Sequence, residues 1–249
     1  MKIESIKIHS DSILTVIPSH FLPDYQEDAG KAHRDFGAKT HRESIRFIRD
    51  ELLVDSMFDQ SVSRPITDNL VLYRWFLPKK NCYYHAHIDL GFNHCSCGIA
   101  LAHQEGWGTV IDLAESLSPK LFGGEIDFEE IRQIVKSLVL RRFNVTVTYD
   151  SFQSFDSIQQ LRQGGIIADL FSVDRDMRAY ISLRRGLYEK SIKCYFSEKL
   201  RNELLGLVRS GDKIDKPVNG SKDLSDAVAA AVYHCREFSN RLITEGKVV

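Results

Sequence analysis

The stretch YYHAHIDLGFNHCSCGIALAH, residues 83–103, decides the fold of this protein. Its first part alternates polar and apolar residues up to Asp89, as a half-buried β-strand does. A short apolar run, GIALAH, follows at residues 98–103, and another, TVIDLAES, occupies residues 109–116. Three short strands with tight connections predict an antiparallel meander.

After residue 126 the pattern changes to alternating helices and strands. IDFEEIRQIVKSLVLRRF (126–143) has apolar residues at helical spacing, which predicts a helix over 128–142. Asp127, followed three residues later by Glu130, predicts a capping box at its start. A β-branched strand ending at Asp150, a helix stopped by Gly164 and Gly165, and a strand at 166–173 are predicted next. The tail is expected to be helical over three segments: 175–191, 197–211 and 222–242.

Three antiparallel strands followed by alternating helices and strands are the order of the ribonuclease H-like fold, an α/β fold with a mixed sheet. Pro, Ser and Asn in SRPITDN (63–69) predict a boundary near residue 66. Residues 1–66 are therefore expected to form an N-terminal extension, and residues 67–249 the ribonuclease H-like domain.

Composition bounds the class of protein. The 249 residues are 43% hydrophobic and 27% charged, which is typical of a globular chain. Lys and Arg (33) nearly balance Asp and Glu (34), so a nucleic-acid-binding face must be local. Without a membrane span, a signal peptide or regularly spaced cysteines, the chain is expected to be intracellular and reduced. GAKT (37–40) lacks the spacing of a phosphate-binding loop, so no ATPase activity is expected.

Three carboxylates fall where this fold would bring them together. Asp89 ends the first strand, Asp150 ends the strand after the long helix, and Asp226 lies near the start of the last helix. Oxygen ligands of this kind suit hard divalent cations, and two such ions can hydrolyse a phosphodiester. Asp223 shares the helix face of Asp226 and is a fourth candidate ligand. Taken singly, each aspartate also fits a turn or a helix cap.

Three stretches resemble the nuclease domain of the large terminase subunit of tailed bacteriophages: HIDLGFNHCSCGIALAH (87–103), VTYDSFQSFDSIQQLRQGGI (147–166) and KIDKPVNGSKDLSDAVAAAVYH (213–234). The resemblance covers residues 83–234. Residues 20–38 are more weakly similar to the region joining the ATPase of the packaging motor to its nuclease. A ribonuclease H-like fold is implied, with Mg²⁺ or Mn²⁺ held by Asp89, Asp150 and Asp226. Asp89 is expected to bridge two ions, while Asp150 and Asp226 each hold one.

The resemblance also implies a task, the cutting of concatemeric viral double-stranded DNA in the cytoplasm of a bacterial host. The expected partners are the portal protein, the small terminase subunit and an ATPase domain or chain, with no membrane. The chain departs from the family where another aspartate often follows six residues after the first, in a Gly-Asp pair. His94 and Cys95 occupy those positions here. If that acid helps to hold the second ion, its loss is expected to weaken metal binding or to favour Mn²⁺.

Zinc is an alternative for the residues around the first strand. The candidate nitrogen and sulfur ligands are Cys82, His85, His87, His94, Cys95, Cys97 and His103. Structural zinc sites usually show paired C-x2-C spacings, and none occurs here, so the sequence disfavours zinc. His87 shares the strand face of Asp89 and either supports the carboxylate site or is a packed histidine, the second interpretation being favoured.

Basic residues that could contact DNA lie mainly at 182–193, in SLRRGLYEKSIK. The preferred contacts are Arg184, Arg185, Lys190 and Lys193, with PKK at 78–80 and the pair Arg141 and Arg142 as further candidates. The predicted function is a metal-dependent endodeoxyribonuclease. Two alternatives remain open: a structure-selective resolvase with the same triad, and a non-catalytic module that docks DNA, portal or small terminase subunit.

Overall fold

The computed structural model describes residues 5–8, 15–18, 45–90, 96–150, 154–217 and 220–244, in two compact units. In the first unit, residues 1–44, strands β1 (Ser5–Ile8) and β2 (Thr15–Pro18) pair antiparallel. The segment 20–38, which carries the weaker family resemblance, lies outside the described residues.

The second unit begins at β3 (Ile45–Arg46), earlier than the boundary predicted near residue 66. Phe47, Ile48, Val54 and Met57 explain the difference, because all four are buried in the same core as the main sheet. Residues 45–66 therefore pack as part of the second compact unit.

Seven strands in the described part of the second unit form one mixed sheet. They are β4 (Phe58–Asp59), β5 (Tyr83–Asp89), β6 (Cys97–Glu105), β7 (Gly108–Leu117), β8 (Asn144–Tyr149), β9 (Ala168–Leu170) and β10 (Ile192–Tyr195). The spatial order is β4-β10-β7-β6-β5-β8-β9. The predicted meander β5-β6-β7 is antiparallel, β8 runs parallel to β5, and β9 runs parallel to β8. This confirms the predicted ribonuclease H-like order.

Six α-helices occur among the described residues: α1 (Glu51–Asp55), α2 (Phe128–Leu140), α3 (Phe155–Gln163), α4 (Arg178–Tyr188), α5 (Glu198–Gly206) and α6 (Asp223–Thr244). Helix α2 confirms the predicted helix, and the Asp127 carboxylate caps it by accepting the N–H groups of Glu129 (2.8 Å) and Glu130 (3.3 Å). Helix α3 ends before Gly164, as the glycine pair predicts.

The sheet carries a separate core on each face. Ile99 and Leu101 of β6 pack with residues of α2 and α3, whereas Ala100 and Ala102 pack with residues of α1, α4, α5 and α6. This alternation follows from the two-residue period of a strand. The small side chains face α6 and allow that alanine-rich helix to lie close to the sheet.

The tail differs from the helical prediction by three short strands. Strand β10 runs parallel to β7, and its residues Ile192 and Cys194 bury their side chains in the core. Helix α5 stops at Gly206, where the sequence predicted a helix to 211, and β11 (Val208–Ser210) begins two residues later. It pairs with β3 and with β12 (Lys213–Asp215) in a small antiparallel sheet. No helix in the described part of the chain is long and apolar enough to span a membrane.

Candidate active site

Asp89 and Asp150 lie at the same edge of the central sheet. Ile88 of β5 pairs with Tyr149 of β8, and an aspartate follows each of these two residues in the chain. The backbone N–H of Asp150 donates to the carbonyl of Ile88 at 3.0 Å. Because β5 and β8 are parallel neighbours, their carboxyl ends meet, and Asp89 and Asp150 lie side by side at this edge.

Gly98 allows the third carboxylate to approach this edge. It pairs with Asp89 across β5 and β6, and a Cβ atom at Gly98 would lie 1.9 Å from the backbone oxygen of Asp223. The first turn of α6 therefore rests directly on the strand beside Asp89. A glycine inside a strand is the signal for such an approach, although Gly98 was not among the predicted site residues.

Asp226 is buried and is held on both carboxylate oxygens. The hydroxyl of Tyr180, on α4, donates a short hydrogen bond to Oδ1, and Lys222 Nζ lies 2.9 Å from Oδ2. Lys222 Nζ also lies 2.6 Å from Asp174 Oδ1. Tyr180 and Lys222 are thus functional candidates that were not predicted from the sequence. The i,i+4 spacing of Lys222 and Asp226 is the signal that points to their pairing.

Burial is the main cause of the raised pKa values at this edge, and charge repulsion adds to it at Asp89. Burial, followed by the charges of Asp226, Asp150 and Asp223, raises the pKa of Asp89 well above its ordinary value, and Lys222 opposes the shift. Burial likewise raises the pKa of Asp226 to about 7, against the lowering effects of Lys222 and Tyr180. We refer to Asp89, Asp150, Asp223 and Asp226 as the carboxylate cluster. Lys222 and Tyr180 compensate its negative charge only in part.

This donor set fits a hard divalent cation. Its ligands are carboxylate oxygens, and a cation would offset both the burial and the repulsion that raise the pKa of Asp89. Among the described residues, no three His, Cys, Asp or Glu side chains stand close enough to hold one ion. Asp226 is turned toward Tyr180 and Lys222, so ion binding requires a change at that residue. Asp223, the fourth candidate, accepts a hydrogen bond from the Ser221 hydroxyl at 3.0 Å.

The histidines and cysteines that zinc would require are distributed over both faces of the sheet. His85 stacks on His234 of α6 with ring centroids 4.3 Å apart, while Cys97 is buried in the core on the α2 side. His103 bonds Asp112 at 2.6 Å. His94 and Cys95 lie outside the described residues. The structure therefore gathers no zinc site from the candidates that it describes.

His87 lies behind Asp89 on β5 and is fully buried. Its Nδ1 atom is 2.8 Å from the Thr148 hydroxyl on β8, and burial lowers its pKa well below the ordinary value. His87 is thus a neutral, packed histidine, which was the interpretation that the sequence favoured.

The basic residues predicted to contact DNA are spread along α4 and β10. The Arg184 guanidinium lies over the Phe47 ring at 4.4 Å, and Arg185 pairs with Glu189 at 2.9 Å. Lys190 follows the end of α4, and Lys193 pairs with Val110 near the start of β7. The far end of β7 adjoins the carboxylates, so Lys193 lies on the order of 20 Å from them, given about 3.3 Å per strand residue.

Arg141, another candidate for DNA contact, has a structural role. Its guanidinium donates to the carbonyls of Leu72 and Tyr73 at 2.8 Å each. It thereby fastens the segment before β5 to the end of α2. The structure brings none of the predicted basic contacts that it describes into the carboxylate cluster, where Lys222 is the cation in contact with Asp226.

Replacing Asp226 by asparagine is expected to change how stability depends on pH. Because the folded pKa of about 7 exceeds the usual unfolded value near 4, folding favours the protonated carboxyl. The stabilisation that this protonation adds to the free energy of unfolding is fully present below the unfolded pKa and is lost as pH rises through 7. Between pH 8 and pH 5 the wild type should gain about 3 kcal/mol relative to the variant.

Urea unfolding at both pH values measures this difference. Asp156→Asn, a change at a carboxylate on the surface of α3, is the control and should follow the wild type. Parallel pH profiles for the wild type and Asp226→Asn would show that Asp226 titrates normally in the fold.

Together these features define the class of the structure, a ribonuclease H-like α/β domain with a carboxylate cluster at the ends of β5 and β8. Large terminase nucleases of thermophilic phages share this fold. The nuclease of phage G20c with bound magnesium matches with a TM-score of 0.57 and 15% identity, covering 77% of this chain and 98% of that one. The large terminase nuclease domain of Thermus phage P74-26 matches with a TM-score of 0.55 and 13% identity, covering 74% and 94%.

Two further comparisons extend over only part of the matched protein. The large terminase of another thermophilic bacteriophage matches with a TM-score of 0.52 and 16% identity, covering 75% of this chain and 44% of that chain. The uncharacterised protein MJ0330 of Methanocaldococcus jannaschii is 26% identical over 162 residues, which are 61% of this chain and 29% of that protein. The match thus spans less than a third of this curated relative. No family model matches the chain.

Proposed function

We propose that this protein is a divalent-metal-dependent endonuclease that cuts double-stranded viral DNA during genome packaging. The observation that carries the proposal is the approach of Asp89, Asp150 and Asp226, from two strand ends and one helix, to one edge of the sheet. Nucleases of the same fold have been crystallised with bound magnesium and with bound cobalt, which supports a divalent cofactor.

The proposed cofactor is Mg²⁺ or Mn²⁺, as two ions. When bound, such ions activate a water molecule and stabilise the oxygen that leaves the phosphodiester. Asp89 would contribute to both ion positions, since it lies beside the end of β8, which Asp150 follows, and beside Gly98, on which the start of α6 with Asp226 rests. Asp150 and Asp226 would each contribute to one. Gly98 keeps α6 near enough for Asp226 to take part, and Tyr180 orients the Asp226 carboxylate.

Packaging requires an ATPase and docking partners besides a nuclease. We include in the proposal an ATPase domain or chain, the portal protein and the small terminase subunit, with the bacterial cytoplasm as the place of action. Contacts with DNA are assigned to phosphates, because a nuclease without sequence preference has to position the backbone rather than read bases. The predicted DNA contacts remain Arg184, Arg185, Lys190 and Lys193. Lys193 would contact DNA only if the duplex extends well beyond the carboxylates.

A non-catalytic docking module is the second candidate function. The observation that favours it is the state of Asp226, whose two oxygens are both engaged by protein donors. On this alternative the cluster is a remnant, and the domain only binds DNA or another packaging protein. A structure-selective resolvase would use the same three carboxylates on branched DNA.

Incubation of the purified protein with supercoiled plasmid tests the proposal. We expect nicked and linear products in Mg²⁺ or Mn²⁺ and none in EDTA. Absence of cleavage in every metal, together with salt-sensitive DNA binding, would favour the docking module. Cleavage of a four-way junction at low enzyme concentration, with intact linear duplex, would favour the resolvase.

A further inference from the structure

We infer that Lys222 is a resident counterion of Asp226 and that Asp174 takes over its ammonium group when a second metal ion binds. The inference rests on the proposed function, because it concerns the Asp226 side of the same carboxylate cluster. It predicts that the two ion positions differ in affinity and names the residues that set the difference.

Lys222 stands between two carboxylates of different exposure. Its Nζ atom lies 2.9 Å from Asp226 Oδ2 and 2.6 Å from Asp174 Oδ1. Asp226 is buried, whereas the Asp174 side chain is 55% exposed on the short 3-10 turn 173–175. The Lys222 side chain itself is only 13% exposed. The ammonium group is therefore enclosed at the cluster and already has a second partner on the solvent side.

The backbone fixes this arrangement at the start of α6. The N–H of Asp226 donates to the Lys222 carbonyl at 2.7 Å, which sets the one-turn separation of the two residues. The Ser225 hydroxyl donates to the same carbonyl at 2.9 Å, and the Ser225 N–H donates to Glu203 at 2.8 Å. With its backbone held, Lys222 can leave Asp226 only by rotation of its own side chain.

A divalent ion and the ammonium group compete for the same carboxylate oxygen. Tyr180 donates to Asp226 Oδ1 and Lys222 to Oδ2, so an ion that binds Asp226 meets a positive charge at contact distance. Like charges at that distance in a buried site repel strongly. Movement of Nζ toward Asp174 frees Oδ2 and keeps the ammonium group paired. Lys222 forms its ion pairs with Asp226 and Asp174. An ion bound on the Asp89 side of the cluster therefore meets less repulsion from the ammonium group, and this position should fill first.

Titration with Mn²⁺, followed by electron paramagnetic resonance of free Mn²⁺ and by calorimetry, tests the inference without relying on activity. The wild type should show one tighter and one weaker ion. Lys222→Met keeps an unbranched side chain only one atom shorter, removes its charge and should tighten the weaker ion about tenfold, a typical coupling strength. Asp174→Asn removes the alternative partner and should weaken the same ion. General structural damage would not shift the two variants in opposite directions.

Lys136→Met is the matched control, because Lys136 pairs with Glu129 at 3.0 Å on α2, across the sheet from α6. It changes the net charge equally and should leave both ion affinities unchanged. If Lys222→Met unfolds, the weakening expected for Asp174→Asn still decides the matter. Normal plasmid cleavage with unchanged second-ion affinity in Lys222→Met or Asp174→Asn would overturn the inference and leave the proposed function standing. A wild type that neither binds Mn²⁺ nor cleaves DNA would overturn both.

Discussion

Replacement of Asp89 by asparagine is expected to reduce metal-dependent plasmid cleavage about a thousandfold, which corresponds to about 4 kcal/mol of lost transition-state stabilisation. Asp89 is the carboxylate on which the charges of both Asp150 and Asp226 act. An asparagine keeps the size of the side chain but loses the charge that attracts a cation, so both ion positions should weaken.

Initial rates of plasmid nicking in Mn²⁺, measured beside Mn²⁺ titrations of the same samples, check this expectation. Asp156→Asn is a suitable control, because Asp156 also lies in the chain after β8 but outside the carboxylate cluster. Its side chain is 72% exposed and pairs with Arg132. It should retain cleavage and ion binding. Full cleavage by the Asp89 variant would remove the carboxylate cluster from the mechanism, and any observed nuclease activity would then have to arise elsewhere.

Replacement of Gly98 by alanine is the change with the second largest expected effect, a loss of about 3 kcal/mol in the free energy of unfolding, at the upper end of overpacking costs. The added Cβ would lie 1.9 Å from the Asp223 carbonyl oxygen and 2.5 Å from its carbon. Both are backbone atoms, so no side-chain rotation relieves the clash. Helix α6 must move away from β6, and Asp226 must move with it.

Urea unfolding measures the stability loss, and Mn²⁺ titration of the folded fraction measures the displacement of Asp226. Gly164→Ala serves as the control, since its nearest contact, with the Leu161 carbonyl oxygen, would be 3.3 Å and its φ is −78°. That variant should unfold within about 1 kcal/mol of the wild type. Unaltered stability and ion binding in Gly98→Ala would mean that α6 is not seated on Gly98.

The elements of the second unit differ in how well the sequence pattern predicts them. The meander, α2 and β8 follow from hydrophobic periodicity and turn signals between neighbouring residues, and they were predicted with nearly correct bounds. Strands β10 and β11 were missed, because a strand of three or four residues is stabilised by a partner far away in the chain. The compact unit begins before the predicted boundary for the same reason, since Phe47 and Ile48 are buried only when the distant helices and strands of their core are in place.

The sequence by itself determined the order of strands and helices and the positions of Asp89, Asp150 and Asp226 at the ends of elements. The order of elements and the positions of these aspartates both follow from the spacing of residues that are near one another in the chain. Only the tertiary structure decided that Gly98 seats α6, that Tyr180 and Lys222 hold Asp226, and that Lys193 lies at the far end of the sheet. Distances between residues that are far apart in the chain depend on sheet register and on helix packing. Neither register nor packing can be predicted from the local pattern of a single sequence.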